Sequence, residues 1–259
     1  MKKIFAISYY TVKENIRNKI FYVLIFFVLL IFLATLLFSV LGGEQELRLL
    51  LDFGLAAIEL FALLLTIFAS VTLVLEEIEN KTIYLLLTRP LSRVEYLVGR
   101  YFGILFAVYL SIATMSIGHI SLLLLKKWSF ELSYFFVIFS LGFKVMLISG
   151  IAVFFSLFST SAISSISFTF FFWLLGHFTE ELKFLGSKLN IFWQYPAKFF
   201  FYLIPNFQYF NFRDRIQLGF PLLLKEANMN FISLAILYAL VYSTVCLFLT
   251  NLFLSRKEF

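Results

Sequence analysis

Charged and nucleophilic side chains are sparse in this chain, so each one set among apolar residues is a candidate for chemistry. Glu59 and Lys144 both stand well inside long apolar runs. An isolated charge at the centre of a bilayer costs on the order of 3 kcal/mol, and their opposite signs make each the natural partner of the other. His119, His177 and Cys246 are donors that a metal could use, but they lie far apart in sequence and show no ligand spacing. No metal site is expected, and the histidines read as packing or interface residues. The stretch "HFTEE" (177–181) has one histidine and the wrong spacing for a zinc protease, and there is no G-x-S-x-G nucleophile elbow. Asp52 and Glu59 stand seven residues apart, with Asp52 near a helix end, and do not make a paired-carboxylate site. No catalytic residue is assigned and the chain does not read as an enzyme.

Polar residues concentrate instead in "EEIENKTIYLLLTRPLSRVEYLVGRY" (76–101), between two apolar runs. Thr82 can cap a short helix from Ile83 through Tyr84, Leu85 and Leu86 to about Leu87, and Pro90 stops it. Ser92 with Glu95 three residues later fits a capping box that restarts a helix into the next run. The result is a short apolar helix bracketed by charge, as a segment docking into a protein groove requires.

The elements that must position these residues follow from composition. Of 259 residues 62% are hydrophobic and 14% charged, too few charges for a soluble domain burying that much apolar surface. A membrane-spanning helix needs about 20 apolar residues. Such runs occur at about 20–41, 49–75, 101–125, 132–158, 160–178 and 231–254, four of the six free of Asp, Glu, Lys and Arg. They are continuous rather than alternating, which disfavours a transmembrane barrel. The first run, at 22 residues from Ile20 to Leu41, is too long for a signal peptide and is expected to be retained. The expected fold is an all-α integral membrane protein of six transmembrane helices, 1–259 forming one domain.

The N-terminal segment, an expected helix over 1–19, carries Phe5, Tyr9, Val12 and Ile16, continued by Ile20, on one helical face, with Ser8, Thr11, Asn15 and Lys19 largely elsewhere. That pattern predicts an interfacial helix lying on lipid. Lys and Arg are concentrated in the N-terminal segment, the loop before the third run and the C-terminus, so both termini are expected in the cytoplasm. The net charge of +6 reads as membrane-surface bias; no basic cluster suggests nucleic acid. Trp128, Tyr134, Trp193 and Tyr195 suit an interfacial aromatic belt. Segment 179–230 is too apolar for a soluble domain, and "FWQYPAKFFFYLIPNF" (192–207) within it reads as re-entrant or interfacial.

The order Glu77, Lys81-Thr82, Leu85-Leu86-Leu87, Arg89-Pro90, Ser92-Arg93 and Gly99-Arg100 resembles the cytoplasmic loop of ABC-transporter permeases of the ABC-2 exporter type. The nearest likeness is to the branch of multicopper-enzyme-maturation and sodium-export permeases. "IPNFQYFNFRD" (204–214) and the basic ending "SRKEF" agree with it, whereas Lys81 and Arg100 stand where many members have Gly and Lys. The resemblance implies that 76–100 is a coupling loop whose short helix, Ile83, Tyr84, Leu85, Leu86 and Leu87, sits in a groove of a separate ATPase subunit. The chain has no phosphate loop of its own, so ATP and Mg would be bound by that partner. A second permease subunit, like or unlike, and a bacterial or archaeal cell membrane are also implied. A channel or scaffold subunit outside the ABC class is the other reading.

Two packing expectations complete the sequence reading. Glu59 lies ten residues past Leu49 and Lys144 twelve past Leu132, so at 1.5 Å per residue each sits about 15–18 Å deep, able to form an intramembrane ion pair. Gly99, Gly103, Ala107 and Ser111 recur every four residues, a small-residue stripe that permits close helix approach within the subunit or at a dimer seam.

Overall fold

Helix signals in the sequence can be followed one by one into the computed structural model. It describes residues 2–16, 21–79, 92–129, 131–159, 161–188, 195, 203–211 and 229–256. Among these every regular element is helical. In chain order they are α1 (Lys2–Asn15), α2 (Phe21–Leu41), α3 (Glu46–Glu79), α4 (Arg93–Leu125), α5 (Leu132–Phe158), α6 (Ala162–His177), α7 (Thr179–Lys188) and α8 (Met229–Arg256). Single 3-10 turns occupy Gly43–Gln45 and Phe207–Phe210.

Local chemistry sets the boundaries. Gly43 adopts φ +48°, a left-handed conformation that costs glycine little, and so lets α2 turn directly into α3. At the start of α4 the Ser92 side chain accepts from Glu95 N and Glu95 Oε2 accepts from Ser92 N, at 3.1 and 2.9 Å. This reciprocal cap satisfies two otherwise orphaned donors. At the other end Trp128 N donates to Leu123 O and Lys127 N to Leu124 O, both at 3.0 Å. That is a Schellman arrangement, with Lys127 at φ 60° in the place glycine usually takes.

Five helices, α2, α3, α4, α5 and α8, are long and apolar enough to cross a membrane. The chain is a multi-helical membrane protein. The fifth run, 160–178, forms α6, an apolar helix of 16 residues and therefore about 24 Å long, short of the roughly 30 Å hydrocarbon layer. The bundle is built around α3 and α5, of whose spans 67% is buried, against 17% for α2 and 22% for α8. The uncovered faces of α2 and α8 are apolar, as a lipid-facing surface must be.

The bundle has two ends. Leu97, Leu157 and Leu254 share one core cluster, which gathers the start of α4 and the ends of α5 and α8. Arg93 Nη1 donates to the carbonyls of Leu254 and Ser255 at 3.2 and 3.0 Å, bringing a cation to the C-terminal carbonyls of α8. At the opposite end Lys126 Nζ pairs with Glu46 Oε1 at 2.6 Å, tying the end of α4 to the start of α3.

Helix α1 packs on the first turns of α4 with its small polar face inward. Thr11 and Asn15 are buried, whereas Phe5 and Tyr9 are 75% and 65% exposed and Ile16 is also exposed. Phe5, Tyr9 and Ile16 are thus free to meet lipid, whereas Val12 of the same expected face packs against the core and Ile7 joins Ser8 and Thr11 in the contact with α4.

Candidate functional site

Two regions of the bundle concentrate polar chemistry. The first lies inside it. Lys144 Nζ on α5 is 2.6 Å from Glu59 Oε1 on α3, a hydrogen-bonded ion pair spanning 85 residues of sequence. Glu59 is 13 residues into α3 and Lys144 is 12 into α5, so both are about 18–20 Å from the end where those helices begin. The Lys144 side chain is 4% exposed and that of Glu59 is 23% exposed. A single buried charge would be strongly penalised at this depth, which is why the two come as a pair.

A third group joins them. His177 Nε2, at the C-terminal end of α6, is 3.6 Å from the same Glu59 oxygen. The shortness of α6 explains this placement: its end stops within the bundle rather than at the far surface. Segment Leu203–Asn211 fills the space beyond. Gln208 Nε2 donates to His177 O at 2.9 Å, and the Phe207 ring lies tilted against the His177 ring, centroids 5.5 Å apart. Gly176 lets this segment approach, since a Cβ there would run into Phe207 and lie 2.5 Å from Pro205 O. Two tyrosines of α8 hold the segment: Asn206 N donates to Tyr238 Oη at 3.0 Å and Tyr242 Oη donates to Leu203 O at 2.9 Å. Phe210 stacks on Phe143, next to Lys144, and with Asn211, Ser140 and the ion pair lines a cavity of about 10 Å³. That is room for one water among polar groups.

The second region is the end of the bundle where α1 meets α4. Arg100, 5% exposed, pairs with Glu14 Oε2 at 2.9 Å and donates to Thr11 Oγ1 at 3.0 Å. Ser8 Oγ donates to Gly99 O at 2.8 Å. Gly99 and Gly103 are the seat of α1: a Cβ on Gly99 would lie 2.8 Å from Ile7 Cβ, and one on Gly103 2.5 Å from Thr11 Cβ. The first half of the small-residue stripe therefore receives a helix of the same chain. Ala107 and Ser111 are buried farther along α4, with Ser111 Oγ donating to Ala107 O.

Of the loop residues, Glu77 lies in the last turns of α3, Ser92 caps α4 and Arg93 clamps the end of α8. Lys81, Thr82, Ile83, Tyr84, Leu85, Leu86, Leu87, Arg89 and Pro90 lie outside the described residues. Of segment 179–230, α7, Tyr195 and 203–211 are described. Tyr134 faces protein: it is 1% exposed and its hydroxyl lies 3.0 Å from His119 Nδ1. Its polar tip is satisfied inside the protein, so it has no need of the headgroup layer. Tyr195 is 73% exposed.

His119 is a packing residue. Its Nε2 meets Leu50 O at 3.2 Å, and Gly54 supplies the space for the ring, which a Cβ at that position would strike. Cys246 is buried against Gly150. No group of three or more His, Cys, Asp or Glu side chains suited to a metal occurs among the described residues.

The role of His177 escaped the sequence reading because it depends on where a short helix ends in space. The available signal was its length: the fifth apolar run, 160–178, is the shortest of the six. In comparisons with known proteins, no family model matches the chain and no curated protein matches it.

Proposed function

We propose that the chain is the membrane-spanning permease subunit of an ATP-driven transporter, an exporter by its resemblance to the ABC-2 type. It works with a separate ATPase subunit that binds ATP and Mg and with a second permease subunit. The observation that supports this reading is the construction of the end from which the 80–91 loop emerges. Helix α3 continues past its apolar run, which ends at Leu75, to Glu79, and α4 resumes at Arg93 behind a double cap. Arg93 joins that cap to the end of α8, and Arg100, Gly99 and Gly103 join the next turns to α1. A loop mounted on elements tied together in this way transmits displacement to several helices at once. A lipid anchor needs no such bracing.

In this reading α6 is the fifth of six transmembrane segments, completed by the Leu203–Asn211 segment packed against its end. The basic end with both termini faces the cytoplasm of a bacterial or archaeal cell, and Ile83 to Leu87 form the coupling helix. A passive channel fits less well, because the space left beside the Glu59–Lys144 pair admits about one water. Leu86→Asp tests the reading. A charge forced into an apolar groove is desolvated without a partner, at a cost of several kcal/mol. The variant is expected to reach the membrane and to lose copurification with the ATPase subunit. Undiminished complex formation would refute the docking role.

A further inference from the structure

Helices α4 and α5 do not close on each other along their whole length. Tyr109, Ile112 and Ala113 of α4 and Ile138, Gly142 and Phe143 of α5 surround a hollow of about 460 Å³, within the roughly 300–1,000 Å³ typical of small-molecule sites. Its room comes from residue size, Ala113 and Gly142 standing among bulky neighbours. Its walls are fixed. Tyr109 Oη donates to Gly142 O at 3.0 Å and ties the two helices together. Phe143 meets Phe139 edge-on, centroids 5.0 Å apart, and stacks on Phe210 of the Leu203–Asn211 segment.

Chemistry and size both narrow what the hollow can hold. Among the lining residues the Tyr109 hydroxyl is the one polar side-chain group, and its hydrogen is already given to a carbonyl. A polar ligand would be desolvated there with no donor to receive it, whereas hydrocarbon loses nothing. A methylene fills about as much space as a water, about 30 Å³, so the hollow takes about 15 of them, the greater part of one acyl chain. Its depth agrees. Gly142 lies ten residues past Leu132 and so about 15 Å from that end of α5, the middle of a hydrocarbon layer roughly 30 Å thick. The wall is open on the lipid side, where Phe139 is 56% exposed and Phe135 beside it is exposed too.

We propose that this hollow binds one acyl chain of a membrane phospholipid, which lies between α4 and α5 while its headgroup stays at the membrane surface. Left empty, the hollow would deprive every wall of its dispersion contacts, and a chain enters sideways from the surrounding lipid without crossing a polar layer. A second copy of the protein fits the place poorly. Membrane helices meet closely over small residues, whereas α4 beside the hollow carries Phe106, Leu110 and Ile117, all exposed. The small-residue face of α4 at Gly99 and Gly103 is already occupied by α1. The site rests on the hollow and its lining and does not depend on the transport reading.

Phe139 and Phe32 supply the test. Both are 56% exposed, and Phe32 lies nine residues before the end of α2 while Phe139 lies seven past the start of α5, so their depths differ by about 3 Å. The full chain is reconstituted in phosphatidylcholine nanodiscs that contain phosphatidylcholine with a diazirine midway along one acyl chain, then irradiated and mapped by mass spectrometry. Lipid merely brushing the surface would mark the two phenylalanines alike; a bound chain should mark Phe139 about tenfold more than Phe32. Ala113→Phe fills the hollow and should bring Phe139 down to the level of Phe32, with Phe32 itself unchanged. Should that variant fail to fold, Gly142→Leu takes its place, since a Cβ there starts in ordinary contact, 3.6 Å from Tyr109 Cε1. Equal labelling in the wild type overturns the proposal, as does undiminished labelling of Phe139 in the filled protein. Phe139→Cys with Cys246→Ser should stay monomeric under oxidation; a disulfide-linked pair would put a second copy over the hollow and overturn it as well.

Discussion

Removing one charge of the Glu59–Lys144 pair should hurt more when the carboxylate goes than when the ammonium goes. Lys144 is nearly closed off, with a side-chain exposure of 4%, and Glu59 is the acidic group that meets it. Glu59→Gln strands a buried ammonium, and breaking a buried pair in this way costs about 3–5 kcal/mol. Lys144→Met leaves Glu59 with a side-chain exposure of 23% and with His177 still 3.6 Å away, so its cost is smaller, on the order of 1–3 kcal/mol. The double variant Glu59→Gln with Lys144→Met replaces the pair by neutral groups of similar size and should be near wild type. Exchanging the charges, Glu59→Lys with Lys144→Glu, should recover only part of the loss, because a lysine at 59 faces His177. The assay is thermal unfolding in nanodiscs followed by tryptophan fluorescence. At about 2–4 °C per kcal/mol for a chain of this size, Glu59→Gln should lower Tm by about 6–20 °C. The expected order is wild type and double variant highest, Lys144→Met next, Glu59→Gln lowest. Equal losses in the two single variants, or a double variant as unstable as Glu59→Gln, would refute the reasoning.

Three further outcomes are expected. Gly103→Leu places side-chain atoms where Thr11 Cβ and Ser8 O already stand; α1 should lift from α4, seen as faster labelling of a cysteine at Thr11 in a Cys246→Ser background. Gly176→Val collides with Phe207 and Pro205 O and should release the Leu203–Asn211 segment, read as gained hydrogen exchange at Asn206 N and Gln208 N. Cysteine at Ala107, again with Cys246→Ser, should resist lipid-phase maleimides because Ala107 is fully buried; ready labelling would place this face against lipid.

Much of the architecture was legible in the sequence because lipid makes a one-dimensional demand. A helix of the required length must be apolar along its whole run, so α2, α3, α4, α5 and α8 could be located from residue type alone. Caps are equally local: Ser92 and Glu95 are three residues apart, and their reciprocal bonds need nothing from the rest of the chain. The sequence reading could also bring Glu59 and Lys144 to similar depth, since depth is residue count times rise.

Facing is a different matter. Which side of α1 meets protein was decided by Gly99 and Gly103, 84 and 88 residues beyond the end of that helix, whose missing side chains admit Ile7 and Thr11 and leave Phe5 and Tyr9 outside. Tyr134 looked like a headgroup residue until the fold set the His119 ring against its hydroxyl. His177 joins the ion pair only because α6 stops short and Leu203–Asn211 comes back to cover its end. A run of apolar residues declares that it will be in the membrane; which neighbour each face finds there depends on contacts between helices far apart in sequence, and no local pattern encodes those.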